Sequence, residues 1–184
     1  MNLAANNYDF FARVGLIFQE LGIPDDLPTT RNLVIWPEPS TLITAEVSAN
    51  GRVFQLTPQA SEVWRALKTA AANDGVALQM VSAFRSVEYQ ATIIRRKLER
   101  GLTLQQILTV NAPPGYSEHH SGCAIDIGSP DCPDLGEAFE NTEAYRWLSS
   151  NAERFDLYLS FPRNNEYGYV YEPWHWRYHD DDKA

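Results

Sequence analysis

Phe10, Phe11, Val14, Ile17, Phe18 and Leu21 recur at three- and four-residue steps, which predicts an amphipathic helix over 8–21 with its apolar stripe against a core. Gly22 and Pro24 stop it. The stretch rich in Pro, Thr and Asp as far as Pro39 reads as loop, with one β-like fragment at 33–36. Residues 42–47 and 52–56, separated by Ser48, Ala49, Asn50 and Gly51, predict a hairpin with a short turn. Thr57 or Ser61 would cap a helix running through Val63, Leu67 and Ala71 and ending near Asn73, Asp74 and Gly75.

A strand over 77–83 follows directly. Ser86 is an N-cap for a helix over 87–100, and Thr103 for a shorter one over 104–110. Ala112, Pro113, Pro114 and Gly115 then force an irregular loop. Residues 123–127 read as a short buried strand, and 142–155 as a helix with Tyr145, Leu148 and Ala152 on one face. Further strands are expected at 157–161 and 167–171. Because the strands do not alternate with crossover helices, the pattern predicts an α+β domain: a small antiparallel sheet flanked by helices.

At 184 residues and 44% hydrophobic, the chain suits one domain over 1–184 with a sizeable core. Twenty-four Asp and Glu against 15 Lys and Arg give a net charge of -9, which argues against nucleic acid or an anionic membrane surface as partner. Cys123 and Cys132 read as ordinary thiols rather than a disulfide framework. Residues 1–22 lack a basic segment ahead of an apolar one, and no run approaches the roughly 18 apolar residues of a membrane span. The resulting expectation is a cytoplasmic monomer, with the periplasm or cell wall as the alternative for a trimmed chain. Residues 179–184 read as a charged tail.

All four histidines, His119, His120, His175 and His179, fall in the final third. A catalytic zinc needs about three protein ligands and one open position for water. Two segments can supply them. In one, a loop carrying His119 and His120 enters an apolar strand ending in Asp126, a carboxylate whose burial demands a cation or a hydrogen-bond network. In the other, Glu172 stands three residues ahead of His175, and Pro173 keeps Glu172 extended so that the two side chains can be aimed separately at one cavity. Three ligands plus one free Glu suffice for zinc peptide hydrolysis, the carboxylate moving the water's proton to the leaving amine.

Ser117, His119, Gly122, Ala124 and Asp126 form an SxHxxGxAxD motif, and Glu172, Trp174 and His175 an ExWH motif. Both resemble the zinc D-alanyl carboxypeptidases of the VanY and LdcB type. Residues 82–90 resemble that family's S-G-Y-R-S-x-x-x-Q segment, with Ala83 and Phe84 departing from it. The resemblance covers about 78–178. It implies that His119, Asp126 and His175 bind Zn2+ in a cleft beside the sheet, selecting His119 over His120. It implies Glu172 as general base and then acid, with Arg85, Gln90 and Ser117 holding the peptide's C-terminal end. For Arg85, a guanidinium suits a terminal carboxylate or a developing oxyanion, the alternative being a structural salt bridge at a helix cap.

His120 is left a role behind the ligands or at the surface, and His179 is expected to be solvated. Gly115 and Tyr116 are candidates to line the cleft, Tyr169 and Tyr171 to pack against substrate. The family acts on peptidoglycan stem peptides. A cytoplasmic member is compatible with an L,D-carboxypeptidase trimming tetrapeptide muropeptides in recycling, because a D,D-carboxypeptidase there would destroy pentapeptide precursors. D,D-carboxypeptidase is the second expectation, followed by a D-Ala-D-Ala dipeptidase, an L-Ala-D-Glu endopeptidase and a non-haem iron oxygenase.

Overall fold

The computed structural model describes residues 3–179, so the tail expected at 179–184 lies, His179 excepted, outside the described residues. The first helix, α1 (Leu3–Leu21), buries Phe10, Val14, Ile17, Phe18 and Leu21, while Phe11 lies off the stripe and is 54% exposed. A single turn, α2 (Leu27–Thr30), leads to the hairpin β1 (Ile43–Val47) and β2 (Val53–Leu56), paired antiparallel as the turn residues require. Thr57 caps α3 (Pro58–Asn73), accepting from the Ala60 N–H. Gly75 leaves that helix at a φ of +81°, a conformation glycine adopts without a Cβ clash.

Four strands make the main sheet: β3 (Gln79–Ser82), β4 (Ala124–Gly128), β5 (Leu157–Leu159) and β6 (His175–Tyr178). Their order is β3-β4-β6-β5, and every pairing is antiparallel, in agreement with the α+β expectation. Between them run α4 (Val87–Glu99), α5 (Leu104–Leu108) and α6 (Glu143–Asn151), capped by Ser86, Thr103 and Thr142. Short 3₁₀ turns occupy Glu118–Ser121, Glu137–Asn141 and Ala152–Phe155, the last tightening the end of the helix expected over 142–155.

Two packed clusters hold these elements. Trp64, Leu67, Ile125, Ile127, Phe139, Leu148 and Trp176 tie α3 and α6 to the sheet. Val14, Ile17, Phe18, Val87, Ala91, Ile94 and Ile107 tie α1 to α4 and α5. β4 is buried at all five positions, as a central strand covered on both faces must be.

The segment expected as a strand at 167–171 is a loop. Its backbone groups are taken by side chains and a distant turn: Arg31 Nε donates to the Tyr167 carbonyl, Asn165 brackets Tyr169, and the Val170 N–H donates to the Thr109 carbonyl. The fourth strand is β6 instead, whose residues follow the break imposed by Pro173. The fragment at 33–36 is likewise no strand, although the Trp36 N–H donates to the Gly115 carbonyl at 2.7 Å. Cys123 and Cys132 are free thiols, as expected. Among the described residues no helix is long and apolar enough to cross a membrane.

Gly122 joins the turn carrying His119 to β4, at a φ of +68° and where a Cβ would lie 2.9 Å from Leu42 Cδ2 and 3.2 Å from Thr57 Cγ2. Gly122→Ala is therefore expected to cost about 2–4 kcal/mol, combining left-handed backbone strain with overpacking. Chemical denaturation measures it, and a loss under about 0.5 kcal/mol, the range of ordinary surface substitutions, would refute the strain argument.

Candidate metal centre

Sheet register brings two of the three donors together. Asp126, in the middle of β4, pairs with His175 at the start of β6, and Ser82 flanks Asp126 from β3. His119 arrives from the 3₁₀ turn, which Gly122 closes just before β4. His119, Asp126 and His175 are all buried, and one ligand atom of each lies within 4.8 Å of the others.

Hydrogen bonds fix which ring nitrogens face inward. His119 Nδ1 lies 2.8 Å from the Ala83 carbonyl, which can only accept, so Nδ1 carries the hydrogen and Nε2 faces Asp126 Oδ2 at 3.2 Å. His175 Nε2 donates to Glu118 Oε2 at 2.9 Å, turning Nδ1 to Asp126 Oδ1 at 3.1 Å. Glu118 is held in turn by Arg177 Nε at 2.9 Å, and the Arg177 guanidinium stacks on Trp36. Both imidazoles thus have their outer nitrogen anchored and their inner one free to bind a cation, the usual arrangement around a catalytic metal. Two imidazole nitrogens and one carboxylate converging with room for a further ligand match the donor set of catalytic zinc.

Burial alone would raise the Asp126 pKa, but His119 and His175 outweigh it and hold the carboxyl well below its usual range. Burial would lower that of His175, yet Asp126 and Glu118 push it up to about 10. For His119 burial prevails over the pull of Asp126, and the pKa falls. Glu118, despite burial, is drawn down to about 2 by His175 and Arg177. Glu172 goes the other way: burial pushes it up to about 7. Neighbouring carboxyls driven in opposite directions are how one site holds both a fixed charge and a proton carrier.

Glu172 Oε2 stands 3.8 Å from His175 Nδ1, beside the three donors, and the residue is itself buried immediately before Pro173. Arg85 follows β3; its backbone N–H donates to the His119 carbonyl, and its guanidinium reaches Gln90 Oε1 at 2.8 Å, Ser82 Oγ at 3.3 Å and Asp126 Oδ2 at 3.8 Å. With Ser117, these groups line a cleft of about 250 Å³ whose apolar wall includes Leu135, Phe161 and Trp174. Gln90 is fully buried and lies behind that wall, bridging Arg85 to the Ala112 carbonyl.

His120 is not at the surface, one of the two places expected for it. It is fully buried, donating from Nδ1 to the Arg85 carbonyl and accepting the Gly115 N–H at Nε2, and burial lowers its pKa to about 4. That bond occupies Gly115, so Gly115 supports the cleft without lining it. Tyr169 lines the cleft, whereas Tyr171 turns away to hydrogen-bond Tyr145 and stack on Arg163. Tyr116 lines an adjoining pocket with Trp36, and His179 packs on Tyr158 rather than standing free in solvent. Sequence reasoning missed Glu118 and Lys97. Glu118 sits inside the quoted motif between Ser117 and His119, and Lys97 lies seven residues beyond Gln90 on the same helix.

A buried triad of potential donors beside a further buried carboxyl, all lining one cleft, is a site able to hold a metal ion. Residues 53–181 match the VanY family, described as D-alanyl-D-alanine carboxypeptidase, and the chain belongs to that family. It is 32% identical over 148 residues to "Putative carboxypeptidase YodJ" of Bacillus subtilis, covering 77% of this chain and 54% of that one. The chain spans about half the length of the curated relatives it matches. Among solved structures it resembles the LdcB LD-carboxypeptidase, with a TM-score of 0.69 and 31% identity over 77% of this chain and 69% of that one. It also resembles the VanY D,D-pentapeptidase of a VanB-type resistance cassette in complex with Zn(II), with a TM-score of 0.61 and 29% identity over 82% and 88%. The activity that describes this family is hydrolysis of a peptide bond, not oxidation.

Glu118→Gln keeps an acceptor for His175 but removes the charge that orients it. Competition with a chromophoric chelator is expected to find zinc bound about 10- to 100-fold more weakly. Unchanged affinity would mean that Glu118 does not support the centre.

Proposed function

We propose that the chain is a zinc carboxypeptidase releasing the C-terminal D-alanine of peptidoglycan stem peptides. His119, Asp126 and His175 hold the ion. The observation that carries this reading is the convergence of those three donors beside Glu172, a buried carboxyl outside the donor set. All of these groups come from one chain, so the reading needs no second copy.

A zinc ion held by His119, Asp126 and His175 would supply Lewis acidity to a water and to the scissile carbonyl. Glu172, a buried carboxyl whose burial favours the protonated form, takes a proton from the attacking water and hands it to the leaving amine. Arg85, fixed by Gln90 and Ser82, offers its guanidinium to the substrate's carboxylate or to negative charge developing on the carbonyl oxygen. Ser117, buried in the cleft wall, offers a hydroxyl to the peptide's C-terminal end, and Gln90 acts through Arg85 as a positioning residue. Phe161 and Trp174, both buried, give the cleft an apolar wall that suits a small methyl side chain.

The favoured substrate is the tetrapeptide stem, cut as an L,D-carboxypeptidase; likeness to the LdcB LD-carboxypeptidase supports this choice. Membership of a family described by D-alanyl-D-alanine cleavage favours a second reading, D,D-carboxypeptidase on pentapeptides. Incubating zinc-loaded protein separately with tetrapeptide and pentapeptide muropeptides, with mass spectrometry of the products, separates the two. Release of D-alanine from pentapeptide alone would overturn the first choice.

Glu172→Gln is expected to retain zinc and the wild-type melting temperature while losing about 10²- to 10⁴-fold in kcat. His119→Ala and His175→Ala should instead lose the metal. Near-normal turnover by Glu172→Gln would remove Glu172 from its role.

A further inference from the structure

The cleft contains a second cation that the proposed chemistry leaves without a task. Lys97 lines the same cavity as Arg85, Ser117 and Glu172, from a position seven residues, or two turns and about 10 Å of axis, beyond Gln90 on one face of α4. Its ammonium is half-buried and donates to Asn111 Oδ1. Among the described residues no carboxylate lies within ion-pair distance of it, whereas the other cleft cation, Arg85, has Asp126 at 3.8 Å. Burial and then the charge of Arg85 both act against the Lys97 ammonium, and only Glu172, from beyond ion-pair range, favours it. A partly desolvated cation facing another cation is stabilised by an anion between or beside them.

The two cations are not equivalent in place or in mobility. Arg85 is tied on one side to Gln90 and on the other to Ser82, with its guanidinium beside the ligand Asp126. It is therefore fixed beside the group proposed to hold the metal. Lys97 stands further along the wall on a flexible stem, pointed by a neutral amide, and is free to exchange that amide for a charged acceptor.

We propose that Lys97 is the specificity residue that reads the substrate's terminal carboxylate, leaving Arg85 to the oxygen of the bond being cut. The assignment rests on the carboxypeptidase reading above and deepens it. It makes the preference for a free C-terminus a property of α4, across the same cleft from His119, Asp126 and His175.

The test compares one stem peptide as free acid and as C-terminal amide, using zinc-loaded wild type, Lys97→Met and Lys97→Arg. For the free acid, Lys97→Met is expected to raise KM about 10- to 100-fold with kcat changed far less, as loss of a charge-assisted hydrogen bond predicts. The amide should respond little, so the discrimination between the two peptides collapses, and Lys97→Arg should recover most of it. Equal losses on both peptides, a fall in kcat alone, or no change would each overturn the proposal. Calorimetric binding of the two peptides to the Glu172→Gln protein, with and without Lys97→Met, separates the failures. If wild type cuts neither peptide yet Lys97→Met abolishes preference for the free acid in binding, the carboxypeptidase reading falls and the anion site stands. If binding shows no such preference, the anion site falls.

Discussion

The fold is organised around a carboxylate in the least hospitable place available. Asp126 sits at the centre of β4, a strand with no exposed residue, where an unpaired charge would cost several kcal/mol. Its two oxygens are divided between His119 and His175, which approach from different segments of the chain. The antiparallel pairing of β4 with β6 is what sets His175 opposite Asp126, and a slip of one residue would turn it to the other face. Strand order, the turn before β4 and the aromatic packing around β6 all serve that one juxtaposition.

Behind the donors lies a layer that keeps them from moving. Glu118 and Arg177 link His175 to the Trp36 ring, and the Trp36 backbone is bound to Gly115, whose own N–H is held by His120. His120 closes the loop by binding the Arg85 carbonyl. Adjacent histidines in the chain therefore do separate work. His119 presents a nitrogen to the centre, and His120 joins the segments that carry Arg85 and the 112–116 loop.

Local chemistry explains which features were legible in the sequence. Thr57, Ser86 and Thr103 announce helix starts because a hydroxyl that accepts from the backbone acts within one turn. The hairpin was equally readable from its turn residues. β6 was not: Trp174, His175 and Trp176 follow a proline and show no regular alternation, and the strand exists because β4 and β5 supply partners from elsewhere. Residues 167–171 misled in the opposite sense, since their aromatic run has strand character but Arg31 and Asn165 capture its backbone. Motif spacing marked the residues that converge on Asp126 and Glu172 beside them. Glu118 stayed hidden because its partner is 57 residues away, and Lys97 because its meaning comes from sharing a cavity with Arg85.

The two packed clusters divide the cleft between them. Asp126 and His175 ride on the sheet and His119 on the 3₁₀ turn that enters it, while Gln90 and Lys97 ride on α4, which packs against α1 and α5. A shift of the helical cluster would therefore move the Lys97 side of the cleft relative to the three residues gathered around Asp126.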